Sequence, residues 1–281
     1  MFIAIQILLF PATHLFSHSF NGIEIKIVRG NIVDPFENQD DTKIYAIVNA
    51  ANPQLMNGGG VAGAIFRSAG AHTMSNLCAP LRPTQKRFLK PNTAVITKSG
   101  NLEQKNISHV IHAVAPNFNR RHGMYGNSYI FQFNEDGKKL LEDTYRNVLT
   151  TAENNGINHI AIPFLCGGNF KPNRADAEDQ LATIAVETVI DFCRNNRLEN
   201  LREITFVLGT EQTRRTFTQL VERALPKKRK ENKQLSLPHN NRANNTNAAR
   251  FLSRRPLIKL SLYATGIIAC FIVLTKLFNW Y

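Results

Sequence analysis

From residue 23 onward the chain alternates short apolar runs with longer amphipathic stretches. Ile23, Ile25 and Ile27 fall on every second position, the period of a strand with one buried face. Runs rich in Ile, Val and Phe at 44–48, 94–97, 109–114, 159–164 and 203–208 read as buried strands. Between or after them the apolar spacing changes to three and four residues, the period of a helix. Helices are predicted over 60–70 and 136–154, the second with Leu140, Leu141, Tyr145, Val148 and Leu149 on one side. A third covers 176–195, with Leu181, Ile184, Ala185, Val189 and Phe192 in step. The last spans 211–225, with Thr210 as its N-cap and Phe217, Leu220, Val221 and Ala224 turned inward. Strands alternating with helices predict a layered α/β domain ending near Leu225.

Both ends of the chain depart from this pattern. Residues 1–20 are apolar and carry no Asp, Glu, Lys or Arg. They read either as a signal segment, though no basic residue precedes the apolar run, or as an extra strand or helix packed on the domain. Residues 227–255 are Asn-rich and basic, with few apolar positions, and read as a disordered linker. Residues 256–281 form a second apolar stretch. Its core, 260–275, is uncharged for 16 residues. At the helical rise this spans roughly 24 Å, and Lys259, Lys276, Trp280 and Tyr281 at its edges extend the reach toward a bilayer core of ~30 Å. The expected organisation is therefore an extension at 1–20, a domain at 21–226, a linker at 227–255 and a transmembrane tail at 256–281.

Charge sharpens this division. The net charge is +13. Nine Lys or Arg against one Glu put +8 on residues 227–255, and Lys259 and Lys276 add two, which leaves +3 for the domain. The basic character belongs to the tail, which argues against nucleic acid as a partner of the domain. Basic residues ahead of a span tend to stay cytoplasmic. The expected arrangement is a single-pass C-terminal membrane anchor with the domain facing the cytoplasm. Cys78, Cys166, Cys193 and Cys270 show neither a CxxC pair nor zinc-ligand spacing, so neither a metal site nor a disulfide framework is expected.

The chemistry concentrates in VNAANPQLMNGGGVAGAI at 48–65. Gly58, Gly59 and Gly60 carry no Cβ, so backbone N–H groups there can approach a ligand closely. The helix that starts at about Val61 turns its positive end to the same place. Together they form an anion site that needs no Lys or Arg, and phosphate fits it. The stretch has neither the Lys-Ser/Thr of a nucleoside triphosphate loop nor the GxGxxG of a dinucleotide dehydrogenase. Asn49 and Asn52 offer both donor and acceptor, as sugar hydroxyls require. For Asn49, ligand contact and satisfaction of nearby backbone both remain open. His112 lies on a strand and reads as structural.

This stretch resembles the first ligand loop of macro domains, the ADP-ribose-binding family. Other motifs follow in family order over about residues 21–225. Gly30-Asn31-Ile32 stands where the family has Gly-Asp-Ile, 110–116 reads VIHAVAP, and 162–170 reads IPFLCGGNF. The resemblance implies a three-layer α/β/α macro domain with a mixed central sheet, plus the C-terminal transmembrane helix, and no cofactor. It assigns adenine to Asn31 and Ile32. It assigns the diphosphate to Gly58, Gly59, Gly60, Val61 and the backbone of Cys166, Gly167, Gly168 and Asn169. Asn52 would hold the distal ribose as the catalytic positioning residue, with Phe170 packed against the sugar.

Departures from the family pattern matter too. Asn31 replaces an Asp and loses charge assistance toward adenine. Ala62 occupies the place of an Asp in one hydrolase branch, whereas a second active branch reads GGGVAGA as here. Arg120, Arg121 and His122 read as solvated. Two functions follow. One is a hydrolase that removes ADP-ribose from modified proteins by positioning and electrostatics. The other is a membrane-tethered reader of ADP-ribose or ADP-ribosylated protein.

Overall fold

The alternating isoleucines form a strand. β2 runs Ile23–Arg29 and buries Ile23, Ile25 and Ile27 while Glu24, Lys26 and Val28 face the other way. The structure is a computed structural model that describes residues 16–37, 39–82, 88–119 and 130–225. The remaining strands are β1 (Phe16–Phe20), β3 (Tyr45–Ala51), β4 (Ala94–Lys98), β5 (His109–Val114), β6 (His159–Pro163) and β7 (Glu203–Leu208). They form one sheet in the order β1-β2-β7-β6-β3-β5-β4. The pairs β2–β7, β7–β6, β6–β3 and β3–β5 are parallel, and the edge strands β1 and β4 pair antiparallel. The sheet is mixed, as expected.

Helices cover both faces. α3 (Glu135–Asn154), α4 (Ala177–Asn195) and α5 (Glu211–Ala224) pack on one side, where Tyr145, Leu181, Phe206 and Phe217 are buried together. α1 (Gly60–Ser68) and α2 (Ala71–Cys78) pack on the other, over Ile47, Val110 and Val114. This double cover explains why β3, YAIVNAA, is apolar almost throughout rather than alternating. Caps set helix starts. Thr210 accepts from the Thr213 N–H at 3.1 Å, as the sequence predicts, and Asn134 does the same for Gly137 at 3.0 Å.

Three features differ from expectation or add to it. Phe16–Phe20, within the apolar N-terminal stretch, is a strand registered against β2, with Phe16 opposite Ile27. α2 carries no clear helical period, AHTMSNLC, and is held by burying Met74 and Cys78. β3 extends to Ala51, beyond the predicted end at 48, because β5 continues the ladder to Val114, whereas the pairing with β6 stops at Ile47. The linker and the predicted membrane span at 227–281 lie outside the described residues, as do residues 1–15 and Arg120, Arg121 and His122. Among the described residues no helix is long and apolar enough to cross a membrane.

Strand extension places Asn49 inside the sheet, opposite His112. Its Nδ2 donates to His112 Nδ1 at 3.1 Å, so Nδ1 accepts and the ring proton sits on Nε2. Nε2 then meets Thr97 Oγ1 at 2.9 Å and lies 3.7 Å from Cys78 Sγ. His112 is fully buried, and burial lowers its pKa to about 4. Unfolded, the ring titrates near ~6.5. Between those values the unfolded chain binds a proton that the folded chain refuses, so stability falls as pH drops from about 6.5 toward 4. The full effect amounts to about 3 kcal/mol. Melting temperatures at pH 7 and pH 4.5 are expected to show this loss. His112→Gln, which cannot titrate, should begin less stable and lose less over the same window.

Candidate functional site

β3, β5 and β6 run parallel and end side by side, and the loops beyond them enclose a cleft of about 440 Å³. Its floor is Ala50, Ala51, Ala113 and Ala115. One wall is the stretch from Asn52 through the start of α1, and the opposite wall is the loop after β6. No described residue that lines the cleft is charged.

The first wall is built by Asn52. Its Oδ1 accepts from Met56 N at 3.0 Å and Gln54 N at 3.2 Å, and its Nδ2 donates to Met56 O at 2.8 Å. These bonds close the loop in which Leu55 adopts φ +50. The second Nδ2 hydrogen is left over, on the side toward Gly58, where an added Cβ would lie 3.7 Å from Nδ2. Asn52 is thus a loop-building residue with one donor to spare, and the sequence had suggested only its ligand role.

Beyond it, the three glycines are not equivalent. Gly60 has φ +58, which the backbone itself demands. A methyl at Gly58 would meet only ordinary contacts, and one at Gly59 would meet nothing within 4 Å. The fold therefore does not require glycine at these two positions. Gly59 caps α1 without any side-chain hydrogen bond, and the first turn holds no acidic residue. The N–H groups of Gly58 through Ala62 therefore have no acceptor among the described residues.

The second wall shows the same feature. Cys166 adopts φ +61, and its thiol donates to Pro116 O at 3.2 Å. Burial pushes that thiol far above its usual range, so it stays protonated. The N–H groups of Gly168, Asn169 and Phe170 find no acceptor among the described residues, while the Phe170 carbonyl accepts from Phe118 N at 3.1 Å. Two strings of free amides thus flank one neutral space.

Of the residues singled out from the sequence, Asn52, Gly58, Gly59, Gly60, Val61, Cys166, Gly168, Asn169 and Phe170 line this cleft together. Gly167 does not, because it lies under the Phe164 ring. Asn49 does not either, being 1 % exposed and turned to His112. Asn31 and Ile32 sit at the end of β2, with β7 and β6 between them and β3. Asn31 is exposed, and its Oδ1 accepts from Val33 N at 3.3 Å, while Ile32 is in the core under α1 and α2. Sequence reasoning passed over Pro91, Asn117 and Ile130, which close one end. Only Asn117 had a usable signal, standing next to the VIHAVAP motif.

A second cavity of about 310 Å³ lies over β2 and β7, and the charges on its sheet floor satisfy one another. Lys26 Nζ meets Glu203 Oε2 at 2.6 Å, His159 Nδ1 meets it at 3.3 Å, and Thr205 donates to Oε1 at 2.9 Å. Burial opposes ionisation of Glu203, yet these partners hold its pKa at about 2. The neutral cleft, with its unpaired amides, is the candidate site.

A three-layer α/β/α domain with amide-lined loops at its parallel strand ends is an anion-binding class of fold. The chain belongs to the macro domain family. The Macro domain profile matches residues 48–181. An O-acetyl-ADP-ribose deacetylase of Cronobacter turicensis is 36 % identical over 188 residues, which are 67 % of this chain and 90 % of that protein. The Oceanobacillus iheyensis macrodomain with ADP aligns with TM-score 0.59 at 24 % identity, covering 75 % of this chain and 97 % of its own. The Trypanosoma brucei macrodomain in complex with ADP-ribose aligns at 0.53, also at 24 % identity, covering 70 % and 68 %.

Gly63, in α1, is a further support of the first wall. A Cβ there would lie 2.5 Å from the Gly58 carbonyl oxygen, and both groups belong to backbone. Gly63→Ala is expected to push the glycine loop off the helix and cost about 1–3 kcal/mol, typical of overpacking. Urea unfolding of the two proteins measures it.

Proposed function

We propose that the cleft binds ADP-ribose and that the protein hydrolyses acyl esters carried on the distal ribose of that ligand. The observation that supports this most is the pair of amide strings without acceptors among the described residues, flanking a space that no described charged side chain lines. A diphosphate satisfies both strings at once, and the α1 dipole favours its charge. In this reading Gly58 to Val61 and the 166–169 backbone hold the diphosphate, Phe170 packs on the distal ribose, and adenine extends out of the cleft past the ends of β6 and β7 toward Asn31 and the Ile32 backbone. Asn52 turns its spare N–H toward that sugar. The relative from Cronobacter turicensis is named for deacetylation of O-acetyl-ADP-ribose. An ADP-ribosylated Asp or Glu side chain is the same kind of ester, so removal of ADP-ribose from proteins falls within the same chemistry. Water adds its oxygen to the acyl carbon, the ester C–O bond breaks, and the ribose oxygen takes a proton. No described carboxylate or imidazole lines the cleft, and in this reading rate enhancement comes from positioning and fixed dipoles.

That same absence of a base supports a second reading, a reader that binds ADP-ribose without turnover. Calorimetry with ADP-ribose and acetate release from O-acetyl-ADP-ribose separate the two. The hydrolase is expected to do both, a reader only the first, and failure to bind ADP-ribose overturns both readings. Gly59→Ala should fold within about 1 kcal/mol of wild type, because its methyl meets nothing. It should weaken ADP-ribose by about tenfold or more, the scale of one hydrogen bond to a charged group.

We further propose that residues 256–281 anchor the protein in a membrane with the domain on the cytoplasmic side. The support is the uncharged run at 260–275 behind a linker of net charge +8. The full chain in vesicles should resist extraction at high pH, with protease reaching the domain and not the C-terminus. Complete extraction overturns the anchor.

A further inference from the structure

Asn117 stands at one end of the cleft, three residues beyond the last residue of β5. It is only 9 % exposed. Its Oδ1 accepts from the Asn119 N–H at 2.9 Å, which closes a short turn. Its Nδ2 has no hydrogen-bond partner among the described residues. The backbone around it is tied down on two sides: Asn117 O accepts from Phe131 N at 2.8 Å, and Phe118 N donates to Phe170 O at 3.1 Å. The side chain is therefore a fixed donor whose own acceptor is already occupied. Pro91, Ala115, Ile130 and Phe170 share this end of the cleft, and none offers Nδ2 an acceptor. Nδ2 itself faces the open cleft, where water or a ligand supplies the acceptor.

Position says which part of a ligand that is. Asn52 lies one residue past β3 and Asn117 three past β5, and the two strands are neighbours in register, Ala51 opposite Val114. Asn117 thus leaves the sheet further out than the residue assigned to the distal ribose. A group attached to that ribose reaches it. The surroundings are apolar with one donor, which matches a short acyl group: a carbonyl oxygen for Nδ2 and a hydrocarbon end for Pro91 and Ile130.

We infer that Asn117 donates to the acyl carbonyl oxygen of a ribose ester and so selects short acyl esters as substrates. The inference rests on the hydrolase reading above. As water bonds to the acyl carbon, negative charge collects on the carbonyl oxygen. The Asn117 N–H meets that charge until the ester C–O bond breaks and the ribose oxygen takes its proton.

Two variants test it. Asn117→Asp keeps the oxygen that accepts from Asn119 and removes the donor, and Asn117→Ala removes both. With O-acetyl-ADP-ribose, kcat should fall by about 100-fold in each, the scale for one lost donor to a developing oxyanion. Affinity of the alanine variant for ADP-ribose, which lacks the acyl group, should stay within about twofold of wild type, well under one hydrogen bond. Wild-type kcat in both variants overturns the inference and leaves the hydrolase reading standing. A loss of ADP-ribose affinity in the alanine variant as large as its loss of kcat/KM also overturns it, because Asn117 then serves only to shape the cleft. Absence of turnover by the wild-type chain overturns the hydrolase reading and the inference together.

Discussion

Everything about the cleft depends on backbone N–H groups that the protein leaves without acceptors. Among the described residues the amides of Gly58 to Ala62 and of Gly168 to Phe170 find no acceptor, most of them stand open to the cleft, and they lie on facing walls. Helix α1 begins without a side-chain cap and without an acidic residue in its first turn. A capping Ser or Asp at position 59 would satisfy those groups from within. Glycine there keeps them available, and the absence of a Cβ leaves room for whatever takes their place.

The sheet and helices behind the walls hold this arrangement rigid. α1 can approach the glycine loop because Gly63 has no side chain to strike Gly58. β3 and β5 are locked at the level of Asn49 and His112, whose ring bonds on to Thr97 of β4. That network is neutral, which suits its burial under α2. On the far side, Phe164 stacks edge-on against Phe217 of α5 at 5.1 Å, and Gly167 lets the second loop close over that ring. Each wall is thus set by a close approach that one added carbon would spoil.

The parts legible in the sequence are those with a strong local cause. Periodicity located every strand except β1 and every helix except α2. β1 shares a 20-residue apolar stretch with residues that also fit a signal segment, and only its pairing with β2 distinguishes the two. α2 is held by Met74 and Cys78 in a tertiary core, not by propensity. Asn49 and Asn52 looked alike in the chain, both amides near a strand end. The sheet separates them, because its parallel neighbour β5 carries β3 past Asn49 and the ladder ends just before Asn52. Asn117 carried no motif, since its position follows from cross-loop bonds between residues more than ten apart in sequence. The motif glycines were found, but the sequence could not tell Gly60, which the backbone needs, from Gly58 and Gly59, which it does not.

Charge in this protein is divided by place. The formal +13 lies mostly beyond residue 226, while the described residues of the cleft walls carry none. A lysine in the cleft would bind phosphate by long-range attraction and accept it in many orientations, because an ammonium is a point charge. Fixed N–H groups act only at hydrogen-bond distance and along set directions. The two asparagines extend the same logic. Asn52 and Asn117 both use their oxygens on neighbouring backbone, and what each has left is N–H. Along its described walls the cleft is consequently rich in donors, with the Asn169 amide adding both a donor and an acceptor. It favours a molecule with acceptors at successive positions, and a diphosphate followed by an esterified sugar has that order.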